Sequence, residues 1–219
     1  MTASKAFLFD LNGTMIDDME YHVNAWSDIL NNDLNAGLDR EQVRSQMYGK
    51  NSEVLERIFG KNHFTHERMD ELSVEKEKRY QRSYLPHLRL IAGLDRFMDK
   101  AKNAHIRMAI GSAAITFNID FVLDNLRIRH YFDAIVSADD VKISKPNPET
   151  YLNCAALLNT TAEQCIVFED APKGVEAAAN AGMQAVVLIN MHQQHEFGAY
   201  SNIICFVNDY NDKMLENLF

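Results

Sequence analysis

Six short apolar runs set the architecture of this chain: AFLFD (6–10), RMAIG (107–111), AIVSA (134–138), CIVFE (165–169), AVVLI (185–189) and IICFV (203–207). Runs this short and this continuously apolar suit strands covered on both faces, and stretches of helical periodicity stand between them. Strands alternating with helices predict an α/β fold built on a doubly wound, mainly parallel sheet.

Between about residue 16 and residue 82 no comparable run occurs, and apolar residues fall three and four apart. Val54, Leu55, Ile58 and Phe59 form one helical stripe; Tyr21, Ala25, Trp26 and Ile29 form another. The expected division is therefore an α/β domain of residues 1–15 and 83–219, with an all-helical domain of residues 16–82 placed after the first strand. The 219 residues are enough for one well-buried core and a modest second one. In EDAPKGVEAAANAGM, Pro172 suits a first helical turn and Gly182 a C-terminal cap, so a helix is expected to start directly after Glu169 and Asp170.

A formal charge of −9 gives a polyanion no reason to approach, so nucleic acid is excluded as an expected partner. The three cysteines, Cys154, Cys165 and Cys205, sit in apolar runs without metal-ligand spacing and read as buried thiols of a reducing compartment. No signal peptide and no run of about 18 apolar residues is visible. The expectation is a cytoplasmic protein without membrane contact, a monomer or weak homo-oligomer.

In an open parallel sheet, ligands bind beyond the carboxyl ends of the strands. There this sequence places Asp10, Ser112, and the pair Glu169 and Asp170, with Lys145 in the loop after the strand at 134–138. Taken singly, these residues suit a turn, a helix N-cap, the positive end of a helix and a solvated loop. Their coincidence at four strand ends points to a site. Three carboxylates in one crevice repel one another unless a cation joins them, and oxygen ligands suit Mg²⁺. Ser112 and Lys145 would then offer a hydrogen bond and a positive charge to a phosphoryl group, a set suited to phosphoryl transfer with a carboxylate nucleophile.

On FDLNGT, AIGSA, SKPNPETY and FEDAPKGVEAAANAGM the sequence resembles the haloacid dehalogenase superfamily of phosphohydrolases, most nearly the β-phosphoglucomutase-like branch. The resemblance spans the whole chain and implies a Rossmann-like core with a small helical cap. It makes Asp10 the nucleophile of an aspartyl-phosphate. Asp170 becomes a Mg²⁺ ligand, Glu169 a ligand or supporting acid, and the backbone carbonyl of Asn12 completes the metal set. Ser112, Lys145 and the N–H of Ala113 would hold phosphoryl oxygens. Thr14 and His22 would support the loop and hinge, and Lys50 and Lys76 would reach from the cap as it closes. The implied substrate is a small phosphorylated metabolite.

Asn12 departs from the family's phosphatases and mutases, which carry there an Asp that donates and accepts the proton. An amide exchanges no proton at neutral pH, and general acid–base help contributes about 10²- to 10⁴-fold in rate. Three readings follow: a substrate with a good leaving group, replacement by another group such as His22, or a relative that binds phosphate esters and turns them over poorly. Where β-phosphoglucomutase has Ser-Lys-Asn after the second motif, this chain has Ala114, Ile115 and Thr116, which favours hydrolysis over isomerisation. A phosphonate-cleaving relative, with Lys50 as an imine-forming lysine, is a further alternative. The remaining histidines, among them His192 and His195, receive no role.

Overall fold

The computed structural model describes residues 5–198 and 200–219. The six expected runs form one six-stranded parallel sheet: β1 (Ala6–Phe9), β2 (Arg107–Gly111), β3 (Ala134–Val136), β4 (Cys165–Glu169), β5 (Gln184–Leu188) and β6 (Ile203–Val207), in the order β3-β2-β1-β4-β5-β6. The order reverses at β1, which lies between β2 and β4; in register, Phe9 pairs with Ile110 on one side and with Phe168 on the other. β3 is shorter than its apolar run because Ser137 leaves the strand: its side chain accepts from the N–H of Asp139 and its own N–H donates to Asp140.

All four residues of β1 are buried, and the strand's alternation sorts them into two layers. Phe7 and Phe9 enter an aromatic layer: Phe9 stacks on Phe168 at 4.7 Å, and Phe7 on Phe97 of α5 (Leu94–Asn103) at 5.4 Å. Ala6 and Leu8 face an aliphatic layer with Val167, Tyr151 of α7 (Glu149–Leu157), and Val175 and Ala178 of α8 (Pro172–Asn180). Covering both faces fixes strand register, because a one-residue slip would drive aromatic rings into the aliphatic layer. α8 begins with Pro172 at its first turn and ends before Gly182, whose φ of +75° supplies the left-handed turn expected there.

The chain divides into two compact units, the described residues up to Asp17 with Arg89–Phe219, and Asp18–Leu88. Apart from short π and 3₁₀ turns, the second is built from α1 (Met19–Ser27), α2 (Arg40–Ser45), α3 (Asn51–Phe59) and α4 (His66–Tyr84). Its core contains Val23, Trp26, Ile29, Val54, Leu55, Met69 and Leu72, with Ile58 and Phe59 packed at the margin. Asp39 opens α2 with a reciprocal capping box to Gln42, and Thr65 caps α4 by accepting from Arg68 N–H. Among the described residues no helix is long and apolar enough to cross a membrane.

Candidate active site

β1 delivers Asp10 to the carboxyl edge of the sheet, where its N–H donates to the carbonyl of Phe168 at 3.0 Å. Lys145 joins this strand end to the next: its Nζ donates to Asp10 Oδ1 at 2.6 Å and to Glu169 Oε1 at 2.7 Å. Glu169 is held on every side. Oε1 also accepts from the Tyr151 hydroxyl at 2.8 Å, and Oε2 accepts from the N–H groups of Asp170 and Ala171, both at 3.0 Å. Asp170 Oδ1 accepts from Thr14 Oγ1 at 3.2 Å. Each of these groups is buried: Asp10 and Lys145 are 7% exposed, Asp170 4% and Glu169 2%.

Two of the three carboxylates, Asp10 and Glu169, therefore share one ammonium in a poorly solvated crevice. Burial opposes the charge on Lys145, but Asp10 and Glu169 outweigh it and hold the ammonium's pKa above its ordinary value. Burial, then repulsion from Glu169 and Asp10, pushes Asp170 well above the usual carboxylate range despite the hydroxyl of Thr14. Burial and the same two acids push the Tyr151 phenol well above 10, so it remains a donor. Oxygen atoms of Asp10, Glu169 and Asp170 all lie within 4.8 Å of one another. A hard divalent cation fits this excess of buried negative oxygen, and an all-oxygen donor set suits magnesium or calcium better than a thiolate-seeking metal.

The loop after Asp10 is built to pass close to Asp170. Gly13 has φ +74°, and a Cβ there would stand 2.0 Å from Asp170 Oδ2. Its carbonyl accepts from Asn190 Nδ2 at 2.5 Å, and the carbonyl of Thr14 accepts from the Tyr210 hydroxyl at 3.1 Å. Asn12 is half-buried and forms a β-bridge with Ile16. Ser112 follows β2, the strand next to β1; it is buried and its Oγ accepts from Ala114 N–H at 3.1 Å, while Ala113 is half-buried.

The site residues expected outside the sheet are arranged among themselves within the helical unit. His22 and Lys76 are 5% and 3% exposed. Lys76 Nζ lies 2.6 Å from His22 Nδ1 and donates to Glu77 Oε1 at 2.9 Å; His22 Nε2 lies 3.1 Å from Asp18 Oδ2, which also accepts from the Tyr80 hydroxyl at 2.5 Å. Both ring nitrogens of His22 therefore face partners within the helical unit. Lys76 is a buried, paired charge rather than one extended into solvent. Lys50 is half-buried at the N-terminus of α3, where its N–H donates to Glu53 Oε2 at 3.0 Å.

Sequence reasoning misses Tyr151, Gly174 and Asn190. Tyr151 reads as a core aromatic in an amphipathic stretch, which it also is. Gly174 is required because a Cβ there would lie 1.7 Å from Glu169 Oε1; its place one turn past the acid pair was the available clue.

A parallel sheet whose order reverses at β1, with an acid at that strand's end bridged by a lysine to an acid at the end of the next strand, defines a doubly wound α/β protein with its site at the carboxyl edge. The match to known proteins makes the class specific: residues 7–188 fit the family model of haloacid dehalogenase-like hydrolases, and the chain belongs to that family. It is 35% identical over 184 residues to fructose-1-phosphate phosphatase YqaB of Escherichia coli, covering 82% of this chain and 93% of that protein. It is 34% identical over 188 residues to β-phosphoglucomutase of Bacillus subtilis, covering 83% and 82%. Among solved structures, β-phosphoglucomutase of Clostridium difficile superposes with a TM-score of 0.84 at 27% identity, over 98% of this chain and 95% of that one. A family IA hydrolase of Entamoeba histolytica gives 0.86 at 23% identity, over 98% and 97%. The protein is a hydrolase of this family, with phosphatases among its relatives.

Proposed function

We propose that the protein is a phosphatase of small phosphorylated, sugar-like metabolites, working through an aspartyl-phosphate at Asp10 with Mg²⁺ as cofactor, in the cytoplasm. The observation that carries this reading is the buried cluster in which Lys145 bridges Asp10 and Glu169 beside Asp170. Asp10 and Asp170, with the backbone carbonyl of Asn12, would hold the ion, and Glu169 borders it. When bound, a divalent ion would offset the charge of the phosphoryl group and the acids around it.

In the proposed first step a carboxylate oxygen of Asp10 forms a bond to phosphorus, and the bond to the ester oxygen breaks with its electron pair leaving on the alcohol. Lys145, Ser112 and the N–H of Ala113 hold the phosphoryl oxygens, and Thr14 steadies Asp170. Water then attacks the aspartyl-phosphate and returns the carboxylate. Both steps need a proton moved at the ester or water oxygen, and Asn12 cannot move it. The expected consequence is a slow enzyme that favours leaving groups needing little protonation.

Hydrolysis is favoured over isomerisation by the segment after Ser112. Thr116 donates from its N–H and its hydroxyl to the carboxylate of Asp139, at 2.9 and 2.7 Å, and the segment supplies no cation for a second phosphate. Among the relatives, one is named for fructose 1-phosphate, which makes sugar monophosphates the first substrates to try. The test is phosphate release from a panel of sugar monophosphates with and without Mg²⁺. Mg²⁺-dependent release that vanishes in Asp10→Asn supports the reading; release that survives Asp10→Asn overturns it.

A further inference from the structure

We propose that Tyr151 is a positioning residue for the acid cluster: its hydroxyl fixes the Glu169 carboxylate, and its ring bounds the place of the Lys145 ammonium. The inference rests on the metal-dependent reading above.

Glu169 presents about four acceptor positions, and in this structure all four are filled, by Lys145, Tyr151, and the N–H groups of Asp170 and Ala171. The four partners differ in how free they are to move. The two amides belong to the backbone at the start of α8, and Tyr151 is 0% exposed in the first turn of α7. Lys145 is the exception, because it divides its ammonium between Glu169 and Asp10 and sits 4.7 Å from the centroid of the Tyr151 ring. When an ion or a phosphoryl group draws Lys145 away from Glu169, the phenol is the one side-chain donor in this set that stays. It then sets the direction in which Oε1 faces.

Gly174 gives the same conclusion from the other side. A Cβ there would overlap the Glu169 carboxyl, at 1.7 Å from Oε1 and 2.4 Å from Oε2, so α8 leaves a gap of the acid's own size. The carboxylate is thus confined by a missing side chain on one helix and a hydroxyl on another. Groups that orient metal-site carboxylates typically change metal affinity by about 10- to 100-fold when removed.

The test is titration calorimetry of Mg²⁺ into metal-free wild type, Tyr151→Phe, Glu169→Gln and the double variant, with thermal melting of each. The expected result is affinity lowered roughly tenfold or more in Tyr151→Phe, with a melting temperature close to wild type, because the ring is kept. In the Glu169→Gln background the same change should cost less than about twofold, since both act through one carboxyl. Equal Mg²⁺ affinity in wild type and Tyr151→Phe would overturn the inference while leaving the metal reading intact. Absence of Mg²⁺ binding by wild type would overturn the metal reading itself, and this inference with it. If Tyr151→Phe does not fold, the same titration is made with 4-fluorophenylalanine at residue 151, which keeps the ring and nearly its volume but donates no hydrogen bond to Glu169. Weakened Mg²⁺ binding there supports the inference and unchanged binding overturns it.

Discussion

In the proposed mechanism a single atom type at Asn12 limits the rate. Its amide keeps the backbone of the loop but removes the one group suited to proton exchange, so Asn12→Asp is expected to raise kcat for sugar monophosphates by about 10²-fold or more. Steady-state kinetics check this, and an unchanged kcat would mean that Asn12 serves a different chemistry. Gly13 next to it tolerates no side chain: Gly13→Ala would put a methyl group against Asp170 in a backbone conformation that alanine adopts poorly. The expected outcome is loss of both Mg²⁺ binding and phosphate release in a protein that still folds, checked by calorimetry and circular dichroism. Asp10, Glu169 and Asp170 were legible in the sequence because they stand at the ends of unmistakable strands that a parallel sheet gathers on one edge, and Lys145 because it lies in the loop after β3. Tyr151 was not, because a buried tyrosine on a helical stripe looks the same whether its hydroxyl bonds a carboxylate or a carbonyl.

At the scale of elements, α4 contains the less expected feature, a lysine and a glutamate side by side in the interior of a helical unit. Lys76 and Glu77 are 3% and 2% exposed, and Glu77 also accepts from Asn51 at 3.0 Å. Removing one member of such a pair strands the other, so Lys76→Met is expected to destabilise the protein by about 3–5 kcal/mol, read from urea unfolding. Burial opposes the charge of Glu77, but Lys76 and His22 outweigh it and hold its pKa below the ordinary 4.5. A depressed folded pKa adds stability above 4.5 that is lost as pH falls through the folded value. The stability advantage of wild type over Glu77→Gln should therefore be largest near neutrality and shrink in acid. Periodicity could predict that residues 16–82 are helical, because Trp26, Ile29, Val54 and Leu55 mark the packed faces. It could not predict that Lys76 and His22 are paired inside, since a lysine written into a helix reads as a solvated face.

Over the whole molecule, the acid cluster sets metal-free stability against metal binding. Three buried carboxylates around one ammonium are a strained arrangement without a cation, so Mg²⁺ should raise the melting temperature; a ligand at a hundred times its Kd adds about 2.7 kcal/mol. Asp170→Asn removes a carboxyl whose ionisation burial, Glu169 and Asp10 all oppose, and its metal-free melting temperature should exceed that of metal-free wild type while the Mg²⁺-dependent rise disappears. The central proposal is that Asp10 takes the phosphoryl group, and a substrate whose leaving group needs little protonation makes this observable: the first step then needs no acid, hydrolysis of the aspartyl-phosphate still lacks a base at residue 12, and the intermediate should accumulate. The decisive measurement is rapid acid quench of the enzyme turning over an aryl phosphate, borohydride reduction of the protein's acyl phosphate, and mass spectrometry of the peptide holding residues 6–18. The expected product is homoserine at residue 10. Turnover with an intact Asp10 and reduction at another carboxylate would contradict it.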